Sequence, residues 1–348
     1  MADDRDLLPL SAATLPLWAG VDLGGTNIKA AVVDDAGRIV AFHTEKTHVD
    51  RGPEDAVARM GAAVHTLARS LGLAASDIAG VGLGSPGPLD IPAGTIVRAG
   101  NLPGWDDFPL RDRLAVHCGR PVTFANDANA AAYGEFWVGS GRDDESLVLL
   151  TLGTGIGGGI IIGDLNVEGA HSHGSECGHI IVDTSPTARR CPFGHLGDLE
   201  AYASATALVA RARERLEEAG PEAPGPLAAG VAAGKPLTPI LIGAACAAGD
   251  PLARELVVEA AGWLGIGVVT LMHTIDPAAV ILGGAMTFGG EASPVGREFL
   301  DTVRSVVRQR AFPVLAERTV IRYATLGGDA GSIGAAGLAR LTALTLGR

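Results

Sequence analysis

The run Val122–Thr123–Phe124–Ala125–Asn126–Asp127–Ala128–Asn129–Ala130–Ala131–Ala132 changes character at its centre, from a β-prone segment to an alanine-rich one. β-Branched and aromatic side chains suit a pleated strand and alanine suits a helix, so a strand is predicted to end at Asn126 and a helix to start at Asp127. Asparagine is a preferred helix cap, and an acid in the first turn meets unpaired N–H groups and the positive end of the helix dipole. That setting keeps a carboxylate ionised and able to take a proton near neutral pH, which makes Asp127 a candidate general base. A plain cap and a dipole-complementing acid explain the two residues equally well when they are taken alone.

Two glycine-rich turns flank this stretch, Asp22–Leu23–Gly24–Gly25–Thr26–Asn27 and Leu152–Gly153–Thr154–Gly155–Ile156–Gly157–Gly158–Gly159, each between apolar β-type runs. In the first, Gly24 and Gly25 let the backbone approach an anion, Thr26 offers a hydroxyl, Lys29 a cation, and Asp22 could hold a hydrated Mg²⁺. An ordinary hairpin would use the same glycines. No P-loop is present there, and although residues 153–158 fit G-x-G-x-x-G in letters, β-type Ile160–Ile161–Ile162 follows where a dinucleotide site needs a helix. A candidate base between two phosphate-type turns points to phosphoryl transfer to a hydroxyl.

With 348 residues the chain exceeds one typical core, so two lobes are expected. Its formal charge of −12, from 39 acidic and 27 basic residues, argues against nucleic acid or an anionic membrane as partner and for a small ligand. The first residues lack the basic and apolar regions of a secretory signal, and the uncharged apolar stretch 260–272 is too short for a membrane span and reads as a buried helix. Four scattered cysteines, Cys118, Cys177, Cys191 and Cys246, suit a reducing compartment, so a cytoplasmic protein is expected.

Residues 1–16 read as a poorly ordered tail. Strands follow at 17–21, 28–33 and 39–46, then a helix from Pro53 with Val57, Met60, Val64, Leu67 and Leu71 on one face, a strand at 78–84, a helix near 109–118 and the strand ending at Asn126. The second half repeats the start, with β-type runs at 146–152 and 158–162 and a long His/Gly-rich loop over 163–198. Loops of that length inside a domain are usually functional. Helices are expected at 199–219, 239–248, 251–275 and 295–309, a connector at 221–236, strands at 279–282 and 320–323, and a closing helix after Gly327–Gly328–Asp329–Ala330–Gly331.

Within the long loop, Glu176 and His179, with Glu200 just after it, could fix the hydroxyls of a sugar, since carboxylates accept and neutral histidine donates. A first-turn helix acid and a structural histidine are the alternatives. His171, His173, His179, Cys191 and His195 raise the question of zinc, but no C-x-x-C or C-x-C pair accompanies them. Gly283–Gly284 and Gly327–Gly328 place glycines between an apolar run and a helix, where a flat ring or a phosphate can lie against the backbone, or where a helix simply starts. Trp105 and Trp263 read as core or loop anchors.

Taken as an ordered set, Asp22–Gly24–Gly25–Thr26, Pro86–Gly87, Asn101–Leu102–Pro103–Gly104–Trp105, Asn126–Asp127 with Gly134–Glu135, Leu152–Gly157 and Glu176–x–Gly178–His179 resemble the ROK family of sugar kinases and repressors, and within it the bacterial glucokinases. The resemblance runs from about Leu17 to the C-terminus. It implies an α/β, two-lobed actin/hexokinase-type (ribonuclease H-like) fold with an interlobe active-site cleft, a small lobe of residues 17–125 and 328–348, and a large lobe of residues 126–327. By the same resemblance Asp127 is the base on a hexose 6-hydroxyl. Gly87, Asn101, Asn126, Glu176, His179 and Glu200 bind the sugar. Gly24, Gly25, Thr26, Thr154 and Gly155 contact phosphate, and Gly283, Gly284 and Gly328 lie on the nucleoside side. ATP with Mg²⁺ is the expected donor, with polyphosphate left open. Glucose is the first candidate acceptor, with mannose, fructose or an N-acetyl amino sugar as alternatives, in a homodimer or homotetramer. A sugar-sensing regulator of the same family is the rival, and about sixteen residues before the first strand leave it no helix-turn-helix.

The departure from the family is its zinc motif, C-x-C-G-x-x-G-C-x-E. Cys191 stands at the first cysteine, but Phe193 and Asp198 occupy the second and third, and phenylalanine cannot ligate. Loss of zinc is the expectation, with packing by Phe193 replacing ligation and another partner orienting His179. Any residual site would draw on His179, Cys191 and Asp198, with His195 as a further candidate.

Overall fold

Strands β1 (Leu17–Leu23), β2 (Asn27–Val33) and β3 (Ile39–Lys46) form the expected antiparallel start, with Asp22 opposite Lys29 across the first turn. β4 (Ile78–Ser85) joins β1 in parallel. After a short antiparallel pair, β5 (Leu89–Asp90) with β6 (Thr95–Ile96), β7 (Val122–Asn126) joins β4 in parallel, giving the order β3-β2-β1-β4-β7. One face of β1 (Leu17, Ala19, Val21, Leu23) shares a core with α1 (Pro53–Ser70), whose Val57, Met60, Val64 and Leu67 form the predicted apolar stripe, and α2 (Leu110–Cys118) adds Leu110 and Leu114 to the same core. β7 then hands over directly to α3 (Asp127–Trp137).

The second sheet repeats this plan. β8 (Ser146–Leu152), β9 (Ile156–Ile162), β10 (Leu165–Asn166), β11 (Ala279–Gly283) and β12 (Val320–Tyr323) take the order β10-β9-β8-β11-β12, with β11 parallel to both β8 and β12. Between β10 and β11 come α4 (Glu200–Ala203), α5 (Ala205–Ala219), α6 (Pro226–Ala232), α7 (Pro239–Ala247) and α8 (Pro251–Ile275). α9 (Pro294–Arg310) and α10 (Pro313–Arg318) precede β12, and α11 (Ala330–Leu346) closes the chain. The helix expected over 199–219 is broken because Ser204 leaves helical geometry and caps α5, accepting from the Ala207 N–H at 3.1 Å. Pro226, at the first helical position, nucleates α6 inside the expected connector. α8 is long and apolar enough to cross a membrane by length and composition, longer than its uncharged core suggests, yet 61% of its apolar window is buried inside the fold, as in a core helix.

The computed structural model describes residues 5, 7–98, 100–220 and 224–346, so residues 1–4 and 6 of the expected tail and 221–223 of the connector lie outside it. The described part of the tail is ordered: Leu8 N–H donates to Ile39 O at 2.8 Å, Leu8, Leu10 and Ala13 pack against the first core, and the Arg5 guanidinium pairs with Asp329 at 2.7 Å. The chain divides into unit 1 (Met1–Asp144, Gly159–Ser175 and Thr325–Arg348) and unit 2 (Glu145–Gly158 and Glu176–Ala324). This differs from boundaries at 125/126 and 327/328, because both α3 and residues 159–175 belong to unit 1. α3 packs against α11 so closely that a Cβ on Gly134 would stand 2.5 Å from Ala330 O and one on Gly334 1.6 Å from Ala130 O.

Glu135, at the C-terminal end of α3, is fully buried. Its carboxylate accepts from the N–H and hydroxyl of Ser140, the N–H and hydroxyl of Thr325, and the Leu326 N–H, at 2.7–3.3 Å. It thereby fixes the segment that leads into α11. Glu135→Gln turns part of this acceptor into a donor facing other donors and is expected to cost about 1–3 kcal/mol. Hydrogen exchange should show faster opening of the Thr325 and Leu326 amides; unchanged protection there would refute the role.

Candidate functional site

In unit 1 the first glycine turn is held from outside. Gly24 N–H bonds Asn27 O at 3.0 Å, and Thr47 donates its hydroxyl to Gly24 O at 2.6 Å and its N–H to Thr26 O at 3.0 Å. Thr26 is exposed, and a Cβ on Gly25 would touch Asn101 within 3.0–3.2 Å, so Asn101 lies directly against the turn. Asp22, at the end of β1, has Lys29 Nζ at 3.8 Å and faces Gly331, where a Cβ would come within 2.7–3.0 Å of its carboxylate. Burial pushes the Asp22 carboxyl above its ordinary range and Lys29 offsets part of that rise. Lys29 also donates to Gly328 O at 2.5 Å, which ties the turn to the start of α11.

The strand-to-helix junction lies in the same unit. Ser85 of β4 is in register with Asn126 of β7, and a Cβ on Gly87 would lie 3.6 Å from Asn126 Nδ2. Asn126 Oδ1 caps α3, accepting from Ala128 N–H at 2.9 Å and Asn129 N–H at 3.3 Å. Asp127 is half-buried in the first turn, with Oδ1 accepting the Ala128 N–H at 2.8 Å. Asn126 and Asp127 thus both accept the Ala128 N–H at the start of α3. Unit 1 therefore groups Asp22, Gly24, Gly25, Thr26, Lys29, Asn101 and Gly328 around one turn, and Gly87, Asn126 and Asp127 around the junction.

In unit 2 the second turn carries Thr154, exposed, and Gly155. Glu200, buried at the start of α4, accepts the Ile156 N–H at 2.9 Å, and a Cβ on Gly155 would stand 2.1 Å from Glu200 Oε2. Burial raises the Glu200 carboxyl, and the Ile156 N–H partly lowers it again. The turn is further tied by Ala205 N–H to Gly153 O at 2.9 Å and by the Thr206 hydroxyl to Thr154 O at 2.7 Å, contacts that no motif in the sequence announces. On its other side, Gly284 (φ +87°) seats its turn against Leu152, where a Cβ would fall 2.4 Å from Leu152 O. Gly283 and Gly284 thus flank the second turn, whereas Gly328 belongs to the first. Gly178 packs on Ile156 O, which carries exposed Glu176 and half-buried His179 to the same region of unit 2.

His179 Nδ1 lies 3.0 Å from Asp198 Oδ2, so the partner expected to orient this imidazole is Asp198, itself fully buried. His179, Cys191, His195 and Asp198 offer donor atoms that all lie within 4.8 Å of one another. Imidazole, thiolate and carboxylate in a set of four are a zinc-type complement, so the residues present fit such an ion. Phe193 is 56% exposed, with its ring edge-on to His179 at 5.3 Å and stacked on His195 at 6.4 Å. Missed altogether was Glu135, which stands in the motif without a role. Its signal is an acid at the apolar end of an alanine-rich helix, which has to find buried donors.

A sequence model of the ROK family matches residues 18–341. The glucokinase of Streptomyces coelicolor is 36% identical over 326 residues, 93% of this chain and 98% of that one. Among solved structures, a ROK family glucokinase from Streptomyces griseus in complex with glucose and AMPPNP is 37% identical, with a TM-score of 0.75 over 93% of this chain and 99% of that one. A ROK hexokinase from Thermus thermophilus is 33% identical, with a TM-score of 0.78 over 95% and 100%. These likenesses carry the actin/hexokinase-type fold, and with a family match over nearly the whole length the chain belongs to the ROK family.

Proposed function

We propose that this chain is a sugar kinase, transferring the γ-phosphoryl group of ATP to the 6-hydroxyl of a hexose, with glucose as the preferred acceptor. The observation that carries the reading is the β7-to-α3 junction, where Asn126 caps the helix and Asp127 presents a half-buried carboxylate in its first turn. The similarity to proteins named glucokinase, one of them in complex with glucose and AMPPNP, supports both the acceptor and the nucleotide.

In this reading the sugar oxygen attacks the γ-phosphorus in line. The O–P bond to the sugar forms, the bond to the bridging oxygen breaks, ADP leaves, and the hydroxyl proton passes to Asp127. Asn101, Asn126, the Gly87 backbone, Glu176, His179 and Glu200 are assigned to the sugar hydroxyls. The Gly24–Thr26 and Thr154–Gly155 turns take the phosphates, and Gly283, Gly284 and Gly328 the nucleoside end. Asp22, a carboxylate with one cation at 3.8 Å, would hold the Mg²⁺, which neutralises charge on the phosphates. Since phosphoryl transfer has a loose transition state, these residues act mainly by positioning and by charge. The four described cysteines are free and buried, which suits work in the cytoplasm, and a closed homodimer or homotetramer is the assembly we expect.

Asp127→Asn is expected to lower kcat by about 10²–10⁴-fold, with glucose affinity held within about tenfold; an unchanged kcat would reject the base. Gly155→Ala drives a methyl into the Glu200 carboxylate and is expected to cost about 10²-fold in kcat/KM, and full activity of that variant would separate Glu200 from the site. A coupled assay across glucose, mannose, fructose and N-acetylglucosamine should show ADP release only with sugar present. ATP turnover at the same rate without sugar would favour a plain ATPase, and binding of sugar without any turnover would favour a regulator.

A further inference from the structure

In the loop that precedes α4, four side chains converge. We propose that His179, Cys191, His195 and Asp198 form a divalent-metal site of the zinc class with a ligand set of its own, two imidazoles, one thiolate and one carboxylate, in which His195 supplies the donor that Phe193 cannot.

The geometry carries this in three steps. First, the donor atoms are gathered: Asp198 Oδ2 lies 3.0 Å from His179 Nδ1 and 4.0 Å from His195 Nδ1, and all four residues place a donor within 4.8 Å of the others. Tetrahedral zinc, with bonds of about 2.0–2.3 Å, sets its donors roughly 3.3–3.8 Å apart, so closing the set requires shifts of an ångström or less. Second, the backbone builds the approach. Cys191 N–H bonds His195 O at 3.0 Å and Gly194 N–H bonds Cys191 O at 2.9 Å, a tight turn completed by Gly194 at φ +87°. That turn brings residue 195, four positions on, back to the side of residue 191, a position the family motif leaves unassigned.

Third, the outer contacts orient the ligands. Asp198 is fully buried and uses Oδ1 to accept the Ala201 N–H at 3.1 Å, which aims Oδ2 at the cluster. The Gly197 carbonyl accepts from Val182 and Asp183, the Gly197 N–H donates to Arg189 O, and Leu199 N–H donates to Ile180 O, so both edges of the loop are already clamped. One thiolate and one carboxylate balance the two charges of the ion, leaving the site neutral. Cys191 and Asp198 are buried while the His195 side chain is 61% exposed, so His195 is the outermost ligand.

The test is metal binding by the full chain. Protein purified from zinc-supplemented cultures should hold about one zinc per chain by mass spectrometry of the digested sample. Cobalt replacing the zinc should give the visible bands of a tetrahedral ion with a thiolate charge-transfer band in the near ultraviolet. His195→Ala, at an exposed position and with circular dichroism as the check that it folds, should weaken zinc binding by at least about tenfold in a chelator competition, and Cys191→Ser should remove the thiolate band. Phe193→Ala should leave the stoichiometry at one. Wild-type protein that takes up neither ion overturns the site, and unchanged affinity in His195→Ala overturns the assignment of the fourth ligand. Both readouts are independent of sugar phosphorylation, so failure here leaves the proposed reaction standing.

Discussion

Helix α11 has to lie almost in contact with the backbone of the first sheet, and much of unit 1 follows from that. A Cβ on Gly20 would stand 1.8 Å from Ser332 O and one on Gly82 1.8 Å from Ala335 O, distances no side chain survives. With glycine at both places, the helix settles on β1 and β4, and Trp18, Ala31, Val33, Ile333, Ala336 and Ala339 close the small core around it. The same helix grips α3 through Gly134 and Gly334 and brings Gly331 against Asp22. The helix that starts at Asp127 and the turn that starts at Asp22 are therefore referenced to one rigid body, which a positioning mechanism requires.

Unit 2 solves a similar problem with a carboxylate instead of a glycine seam. Glu200 fills the space beside Gly155 and takes the Ile156 N–H, so the second turn and the start of α4 cannot move independently. A buried acid is costly unless its oxygens are satisfied. Glu200 meets that cost with a backbone amide, Asp198 with His179 and the Ala201 N–H, and Glu135 in unit 1 with Ser140, Thr325 and Leu326. In each case the acid orders a segment of irregular chain through backbone amides or side-chain donors.

Period-two and period-three-to-four patterns made most elements readable: β1 to β4, α1, β7, β8 and α8 appear at or within a few residues of where the apolar spacing puts them. What escaped depends on contacts that spacing does not encode. The tail folds back because Ile39 offers an edge carbonyl, α6 forms inside a proline-rich connector, and α10 is too short for periodicity to register. Gly134–Glu135 stood in the motif, but nothing local tells that its carboxylate serves amides nearly two hundred positions away.

For the candidate site, the order of residues already names the parts: a capped acid at a helix start, two glycine-rich turns, and a histidine with nearby acids, because residue type and local backbone preference are properties of neighbours in the chain. Packing alone settles which of these residues share a unit, that Asn101 sits on Gly25, that Glu200 locks Gly155, and that His195 comes within reach of His179, Cys191 and Asp198. The reason is that proximity across long loops is set by packing and by backbone hydrogen bonds between distant segments, and a pattern of letters carries those only where an element's own period exposes them.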